Sequence, residues 1–195
     1  KFSKRIFDIL FSVLIIVFIL SWLYPIIGLL IKLSSKGPVL FKQRRSGLDN
    51  KEFWCYKFRS MSQNLDADNK QATKTDTRVT KIGSFLRSSS IDEFPQFFNV
   101  LRGDMSVVGP RPHMLKHTQQ YSELIKKYMV RQLVKPGITG AAQIRGYRGE
   151  TKEIEEMEGR VKWDVWYIEN WTFFLDINII AVTILNFIKG DEKAY

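Results

Sequence analysis

The residues of this sequence best suited to chemistry are two adjacent carboxylates, Asp92 and Glu93. A carboxylate can act as a nucleophile, accept a proton, or bind a hard metal ion through oxygen. Arg87 precedes the pair, and a Gly109-Pro110-Arg111-Pro112 segment follows it. The two prolines leave Arg111 little conformational freedom, and its planar guanidinium suits a pair of phosphate oxygens. An ordinary turn with a solvent-facing arginine also fits this segment.

The same carboxylates can be explained as the start of a helix. Ser90 and Glu93 have the spacing of a capping box, and Asp92 adds negative charge to the first turn. Pro95 is tolerated in a first turn but not in a helix interior. The pattern predicts a helix that begins near Ile91 or Asp92, with free amides at its positive end that could also bind a phosphate. On local pattern alone, this structural interpretation is favoured over a catalytic one.

Lys57 and Arg59 alternate along a predicted strand, so their side chains are expected on one face of it. A second possible constellation consists of His113 and His117, which stand one helical turn apart and could share a metal ion. No glutamate follows in the HExxH pattern, and the sequence offers no evident third ligand. We therefore reject a zinc site.

The chain has 195 residues, which suits one domain with a small appendage, and a formal net charge of +10. This charge calls for an anionic partner: nucleic acid, a phospholipid surface or a phosphorylated substrate. RNA-binding motifs are absent and the aromatic residues cluster on apolar runs, so nucleic acid is disfavoured. Cys55 is the single cysteine, which excludes an intrachain disulfide and indicates a reducing compartment.

Residues 6–33 are almost wholly apolar, interrupted mainly by Asp8, two serines and Pro25. A straight helix of this length would reach roughly 42 Å, longer than a hydrocarbon core of ~30 Å. Basic residues flank both ends, so both ends qualify for the cytoplasmic side. Because proline can break a helix, a re-entrant hairpin with its bend near Tyr24-Pro25 competes with a tilted span. Sequence physics leaves these two topologies open. The first residue is Lys1 rather than Met, from which we expect a piece of a longer protein.

The remainder of the chain predicts a small α+β unit. Two β-prone runs, residues 39–41 and 52–58, flank turn residues and predict a β-hairpin with a basic loop. Residues 62–78 are polar and predict a surface loop or weak helix. Helices are predicted at Ser84–Arg87, over residues 113–130, from Arg148 to about Asn170, and over the second apolar run, residues 171–188. That last run carries a thin polar stripe (Thr172, Asp176, Thr183, Asn186), which predicts a helix lying on a membrane interface; a packed core helix is the alternative.

From Lys57-Phe58-Arg59-Ser60-Met61 through the Asp92-Glu93 stretch to Lys135-Pro136-Gly137-Ile138-Thr139-Gly140, the chain resembles the bacterial sugar transferases. These are the monotopic polyprenyl-phosphate phosphoglycosyl transferases. About a dozen short motifs recur in the same order over nearly all of the chain. Arg148-Gly149-Glu150-Thr151 and Trp163-Asp164 resemble in particular the undecaprenyl-phosphate glucose-1-phosphate transferases of exopolysaccharide synthesis, larger enzymes in which other segments precede the catalytic part.

The resemblance implies catalytic roles for the carboxylates: Asp92 as the nucleophile and Glu93 as the ligand of Mg²⁺. Lys57 and Arg59 are expected at the substrate phosphates, as are Arg87 and Arg111. The family counterparts of Asp164 and Tyr167 lie near the active site, and a paired structural carboxylate is the alternative for Asp164. Two positions depart from the family, Ala141 for a common Trp and Arg145 for a frequent Asn, and we carry over no binding role there.

These inferences together give one set of expectations. Residues 1–36 form a proline-broken re-entrant membrane helix, favoured by the resemblance, and residues 37–195 form a mostly helical catalytic domain with a small β-hairpin and interfacial amphipathic helices. The protein moves a sugar-1-phosphate from a UDP-sugar to undecaprenyl phosphate and releases UMP, at the cytoplasmic face of the bacterial inner membrane. No nucleic acid partner is expected, and a homodimer is left open. Alternatives from other classes are a catalytically inactive membrane scaffold and a module that binds anionic lipid or nucleic acid.

Overall fold

A computed structural model describes residues 2–62, 76–149, 151 and 153–189 of the chain. Most of the predicted loop at 62–78 lies outside these residues. The described part is a mostly helical α+β structure. Its helices and strands are, in chain order, α1 (Phe2–Ile15), α2 (Ser21–Ser34), β1 (Leu40–Ser46), β2 (Glu52–Phe58), α3 (Lys81–Ser88), α4 (Gln96–Arg102), β3 (Ser106–Val108), α5 (Leu115–Leu124), β4 (Gly137–Thr139), α6 (Ala141–Ile144), α7 (Ile154–Glu169) and α8 (Phe173–Lys189).

The N-terminal apolar run remains helical from Phe2 to Ser34. A π-helical turn, Ile16–Leu20, joins α1 to α2, and Pro25 lies inside α2. The chain therefore stays helical at Pro25, where the sequence predicts an opening, and a bend at this proline stays a prediction. The π-helical turn lies about one turn before this proline, and the Ser21 hydroxyl donates to the Val17 carbonyl, 2.6 Å away.

This helix is long and apolar enough to cross a membrane, with a mean hydropathy of 2.7 over its most apolar window. Only 17% of that window is buried inside the structure. A contiguous row of large apolar side chains is exposed instead: Leu10, Leu14, Val17, Phe18, Trp22, Ile26, Leu29 and Leu33. An exposed apolar surface of this extent indicates contact with a membrane or with another protein.

Helix α8 forms where the second apolar run predicted it, and two residues of its polar stripe, Asp176 and Thr183, turn towards the protein. Asp176 is fully buried, and the Thr183 hydroxyl lies 2.7 Å from the Thr139 hydroxyl of β4. The outward side carries apolar residues, among them Phe174 and Ile188, which are 84% and 74% exposed. Asp176 and Thr183 thus find partners in the protein while the apolar side is left uncovered, and the predicted position of α8 on a membrane interface stays a prediction.

Two small sheets stand on either side of the carboxylate pair in the sequence. β1 and β2 form the predicted antiparallel hairpin, in which Phe41 lies opposite Lys57. β3 and β4 pair in parallel, with Ser106 opposite Gly137, and this second sheet was not predicted from the sequence. Gly137 is required for it, since a Cβ atom at this position would lie 2.1 Å from the Gly109 nitrogen.

Two other predicted helices are shorter in the structure. The helix predicted over residues 113–130 is α5 followed by a 3-10 segment, Tyr128–Leu133, because Lys127 adopts a left-handed φ of 64° that interrupts the helix. The charged helix predicted from Arg148 begins later, at the start of α7. The main apolar core packs between the N-terminal helix, the hairpin, α3, α4 and α8; its fully buried members include Leu20, Ile31, Phe58, Leu86, Val100, Met105 and Ile179.

Candidate active site

The carboxylate pair lies in a single 3-10 turn, Ile91–Glu93, between α3 and α4. Ser90 precedes this turn with a left-handed φ of 56° and makes no capping hydrogen bond with its side chain. Helix α4 begins only after Pro95, which occupies its N-cap position. The predicted capping box is therefore wrong, since left-handed Ser90 directs its hydroxyl away from the helix start. The result leaves Asp92 and Glu93 in a separate turn just before α4.

Glu93 is held by two cationic side chains. Lys57 Nζ lies 2.6 Å from Glu93 Oε1, and Arg111 donates to both carboxylate oxygens at 2.6 and 3.1 Å. Burial alone raises the pKa of Glu93, but the charges of Arg111 and Lys57 outweigh burial and hold this pKa well below its usual range. Glu93 is consequently ionised at neutral pH, and it fixes the two cations next to the turn.

Asp92 is equally buried, at 7% exposed, but is held less tightly. Within the described ranges, Lys57 is its one ion-pair partner, with Nζ 3.9 Å from Oδ2. Burial raises the pKa of Asp92, the charge of Lys57 lowers it, and the negative charge of Glu93 raises it again. The Asp92 carboxylate thus combines weak solvation with free lone pairs, which is the state of a group available for reaction.

Lys57 reaches the carboxylates because β2 is fastened to α4. Asn99, a fully buried residue of α4, accepts a hydrogen bond from the Tyr56 amide at 3.0 Å and donates to the Trp54 carbonyl at 2.7 Å. Both contacts are to the backbone of β2 on the N-terminal side of Lys57. Sequence reasoning missed Asn99; its position between the apolar residues Phe98 and Val100 was the available signal, since a buried amide needs hydrogen-bond partners.

The Arg111 segment is positioned by the parallel pair β3–β4. The Gly109 amide donates to the Thr139 carbonyl and the Gly137 amide donates to the Pro110 carbonyl, each over 2.9 Å. These bonds clamp the residues just before Arg111 against β4, and the following proline restricts the chain further. The predicted role of this segment as a rigid carrier of an arginine agrees with its geometry.

Arg148 joins the site and was not among the predicted site residues. Its Nη2 donates to the Ser90 hydroxyl at 2.6 Å and lies 3.9 Å from Glu93 Oε2. It comes from the segment between α6 and α7, far from the carboxylates in sequence. Its place in a motif shared with the family was the signal that could have found it.

Two predicted residues stand at the edge of this cluster. Arg87, at the end of α3, is half-buried, and it lies near enough to Asp92 for its charge to lower the pKa of that carboxyl. Asp164 is 1% exposed on α7 and pairs with Arg131, whose Nε lies 2.7 Å from Asp164 Oδ2. The structure therefore brings Arg87 towards Asp92, and it gives Asp164 the paired, structural position that was the alternative for it.

Arg59 and Tyr167 lie outside the cluster. The Arg59 guanidinium donates to the carbonyls of Ser35 and Lys36 at 2.7 and 2.8 Å, so it binds the end of α2. The Tyr167 hydroxyl donates to Asp176 at 2.6 Å. The expected contact of Arg59 with substrate phosphates has no support in this geometry, because Arg59 follows the last residue of β2 and its guanidinium is bound to the end of α2.

The fit of this site to Mg²⁺ is limited. Among the residues that the structure describes, no group of three or more His, Cys, Asp or Glu could hold a metal ion. Asp92 and Glu93 provide two carboxylates, and Mg²⁺ commonly binds through one or two carboxylates together with substrate phosphates. Because Lys57 and Arg111 already occupy the Glu93 oxygens, the pair fits Mg²⁺ only together with phosphate oxygens.

Buried carboxylates surrounded by lysine and arginine suit a site for an anionic group, and the long exposed apolar helix suits contact with a membrane or with another protein. Comparisons with known proteins identify the family. The family model of the bacterial sugar transferases matches residues 1–190. A UDP-glucose:undecaprenyl-phosphate glucose-1-phosphate transferase of Klebsiella pneumoniae is 54% identical over 196 residues, covering 98% of this chain and 41% of that protein.

Other relatives agree. The enzyme with the same description in Escherichia coli K12 is 52% identical over 185 residues, covering 94% of this chain and 40% of the relative. A UDP-N-acetylgalactosamine-undecaprenyl-phosphate N-acetylgalactosaminephosphotransferase of Aeromonas hydrophila is 43% identical over 190 residues, covering 97% of this chain and 44% of that protein. The chain therefore belongs to the bacterial sugar transferase family, and it spans about two fifths of the length of these relatives.

Proposed function

We propose that this chain is a phosphoglycosyl transferase, which moves a sugar-1-phosphate from a UDP-sugar to undecaprenyl phosphate and releases UMP, and so initiates assembly of an exopolysaccharide, capsule or O-antigen glycan. Membership of the family and the descriptions of its relatives support the reaction. The observation that carries the proposal is the buried Asp92-Glu93 pair with its cations. Both substrates are phosphate esters, and a site rich in arginine and lysine suits them.

In the proposed first step, an Asp92 carboxylate oxygen attacks the sugar-linked phosphorus. The phosphorus–oxygen bond to the UMP phosphate breaks, and UMP leaves with the bonding electron pair. In the second step, a phosphate oxygen of undecaprenyl phosphate attacks the same phosphorus, and Asp92 is released as a carboxylate. A covalent relay of this kind lets one site serve two substrates in turn.

The cations have the task of overcoming repulsion between a carboxylate and a diphosphate. Glu93 already holds the side chains of Arg111 and Lys57 in place beside Asp92. These two cations therefore need to move little during the reaction. Arg87 and Arg148 add positive charge at the rim of the cluster. A Mg²⁺ ion held by Glu93 and substrate phosphates would neutralise further negative charge.

We further propose that the N-terminal helix enters and leaves the membrane on one side, as a re-entrant element at the cytoplasmic face of the inner membrane. Contacts at both of its ends support this. Near the start, Lys4 pairs with Asp176 of α8 at 2.6 Å. At the other end, Arg59 binds the carbonyls of Ser35 and Lys36. Since both ends are bound to the same unit, a span would require that unit to lie on both sides of the bilayer.

Thiol labelling tests the topology. Single cysteines at the exposed positions Ser3 and Lys36, in a Cys55→Ser background, are treated with an impermeant reagent in intact spheroplasts. The proposal expects both positions to react only after the membrane is permeabilised. Reaction of position 3 alone in intact spheroplasts would mean a span and would overturn the re-entrant topology.

The activity is tested with purified protein in detergent, Mg²⁺, undecaprenyl phosphate and a panel of UDP-sugars that includes UDP-glucose and UDP-N-acetylgalactosamine. Continued UMP release, beyond the one equivalent of the first step, is expected to depend on the lipid acceptor with one member of the panel. With the UDP-sugar alone, mass spectrometry of the Asp92 peptide should detect the mass of one phosphosugar. A strictly ternary kinetic pattern would contradict the covalent relay while leaving the overall reaction intact.

A further inference from the structure

Behind the candidate active site lies a second buried cluster of charged residues, formed by Arg131, Arg160, Asp164 and His113. Each is at most 6% exposed. Arg160 and Asp164 stand one turn apart on the same face of α7, whereas Arg131 lies in the 3-10 segment after α5. Within the described part of the chain, one carboxylate faces two arginines. Burying such an excess of charge is costly unless its hydrogen bonds serve a purpose.

Arg131 connects α7 to the segment that carries Arg111. Its Nε donates to Asp164 Oδ2 at 2.7 Å, and its Nη2 donates to the Arg111 main-chain carbonyl at 2.8 Å. The fork of the guanidinium is needed for this, since the two bonds leave from different nitrogens in a fixed plane. The Arg111 side chain points the other way, to Glu93.

Arg160 makes the corresponding contact on the other side of the site. Its Nη2 donates to the Gly149 carbonyl at 3.0 Å, next in sequence to Arg148. Thus one face of α7 supports both segments from which arginines reach Glu93. The support is direct for the Arg148 segment and passes through Arg131 for the Arg111 segment.

His113 joins the two arginines. Its Nε2 lies 3.3 Å from both Arg131 Nη2 and Arg160 Nη1, and its Nδ1 lies 2.6 Å from the Tyr128 hydroxyl. Arg131 Nη1 also lies 3.0 Å from His113 Nδ1, and because arginine can only donate, at least one ring nitrogen accepts and the imidazole is neutral. Burial and the charges of Arg131 and Arg160 lower the pKa of His113 well below its usual range, in agreement with this.

We propose that Arg131 and Arg160 are positioning residues of the transferase, with Asp164 and His113 as their partners, and that they hold Arg111 and Arg148 at the spacing required by a diphosphate. This inference rests on the proposed function for its kinetic consequence. In this proposal Asp164 holds Arg131 in place, which in turn positions Arg111, and Asp164 does not bind the substrate. Neither arginine of the pair needs to contact a substrate.

The test is a double-mutant cycle on the transferase reaction, with Arg131→Lys and Arg111→Lys as the two changes. Lysine keeps the charge of Arg131 but cannot bind Asp164 and the Arg111 carbonyl with the same planar fork. We expect Arg131→Lys to lower kcat roughly tenfold to 10²-fold, the effect of a displacement of about 1 Å. If Arg131 acts through Arg111, the double variant should be no slower than Arg111→Lys alone.

Arg59→Lys is the matched control, because Arg59 is also a 5%-exposed arginine whose guanidinium binds main-chain carbonyls, but at the far end of α2. Its effect on kcat should multiply with that of Arg111→Lys, whatever its size. If the effects of Arg131→Lys and Arg111→Lys on kcat also multiply in the double variant, the proposal is overturned. Asp164→Asn, a milder change, should show the same non-additivity with Arg111→Lys if Arg131→Lys proves too unstable to purify.

Hydrogen exchange separates the positioning role from the reaction itself. In Asp164→Asn, the amides of the non-proline residues within 109–114 (Gly109, Arg111, His113 and Met114) should exchange faster than in the unmodified chain, while those at the end of α2 should not change. Unaltered exchange in residues 109–114 would contradict the positioning role even if the kinetics changed. A chain that releases no UMP would instead count against the proposed function, and the exchange experiment would still decide the positioning role.

Discussion

Two buried aspartates in this molecule each lie near a lysine, and they differ in how they are held. Asp176 belongs to the anchor cluster, which we define as Lys4, Tyr167, Trp171 and Asp176. It accepts hydrogen bonds from Lys4 at 2.6 Å, Tyr167 at 2.6 Å and Trp171 at 3.0 Å. Asp92, in the candidate active site, has Lys57 at 3.9 Å. One carboxylate is saturated with donors and the other is not.

The difference teaches how to distinguish a structural from a reactive carboxylate. Full hydrogen bonding offsets the loss of solvation on burial, so Asp176 can serve as a fixed connection between α1 and α8. Asp92 lacks this compensation, and its neighbour Glu93 takes the strong contacts with Lys57 and Arg111. A carboxylate that is not saturated with donors keeps lone pairs available for a bond to phosphorus, and the cations held beside it by Glu93 attract an anionic substrate.

The largest effect is expected from Asp92→Asn. The amide has nearly the same shape but cannot act as the nucleophile, so sugar-phosphate transfer should fall at least ~10³-fold. Because a desolvated negative charge is removed, the Tm should not decrease. UMP release and thermal unfolding followed by circular dichroism check the two parts. Activity above a few per cent of that of the unmodified chain would remove Asp92 from the nucleophile's role.

Arg111→Lys comes next. A lysine cannot make the two-point contact with Glu93 or with a phosphate, and loss of one pre-ordered charge-stabilising donor costs about 10²-fold in rate. The steady-state rate of UMP release measures this. Arg44→Lys, a change at an exposed position of the hairpin, is the control and should keep the rate. Near-normal activity of Arg111→Lys would return Arg111 to the status of a turn residue.

Asp176→Asn should give the opposite pattern to Asp92→Asn. Removal of the anchor carboxylate leaves Lys4 without its partner, and breaking a buried pair costs about 3 kcal/mol in the free energy of unfolding. Denaturant unfolding in detergent measures this. The rate per folded molecule should stay within tenfold of the unmodified chain, roughly a 1.4 kcal/mol change in barrier. Unchanged stability would show that the two aspartates are held alike.

The pH dependence distinguishes the two carboxylates of the active site. The proposed nucleophile must be ionised, and burial raises the pKa of Asp92, so the acid limb of the rate profile should lie above the range of an ordinary aspartate. Glu93→Gln removes a negative charge that also raises this pKa, so the limb should move to lower pH. The pH profile of residual kcat tests the sign, and a shift to higher pH would contradict the assignment.

The smallest effect is expected at the exposed pair Arg44–Glu52, with an N–O distance of 2.7 Å and side chains 57% and 46% exposed. Solvent screens such a pair, so Arg44→Ala should change the free energy of unfolding by less than about 1 kcal/mol. Denaturant unfolding under the conditions used for Asp176→Asn provides the comparison. A loss as large as that of Asp176→Asn would mean that burial does not separate the two kinds of ion pair.

The sequence by itself determined the features that depend on neighbours along the chain. The apolar composition of residues 6–33 predicts a long helix, and turn residues between two β-prone runs predict the hairpin; both are present. The order of the motifs identified the family, which the family match over residues 1–190 confirms. Local composition and the order of motifs are properties of the sequence and do not depend on how the chain packs.

Tertiary structure alone decided which charged side chains meet. Lys57 and Arg59 stand two positions apart on one strand run, yet only Lys57 reaches Glu93, because Arg59 follows the last residue of β2 and turns to the end of α2. Arg148 and Asp164 were likewise assigned by contacts between distant segments. The alternation of side chains predicts a common face of the strand only as far as the strand continues. Contacts between segments that are distant in sequence depend on packing, which a local sequence pattern does not reveal.

The orientation of α8 was decided in the same way. Its polar residues predict an amphipathic helix, but the choice between solvent and protein for the polar side depends on whether buried partners exist. Lys4 and Tyr167 supply them for Asp176, and Thr139 supplies one for Thr183. The sequence thus determined that α8 has two sides, and only the packed structure determined which side faces out, because a buried polar group is stable only where hydrogen-bond partners from elsewhere in the chain surround it.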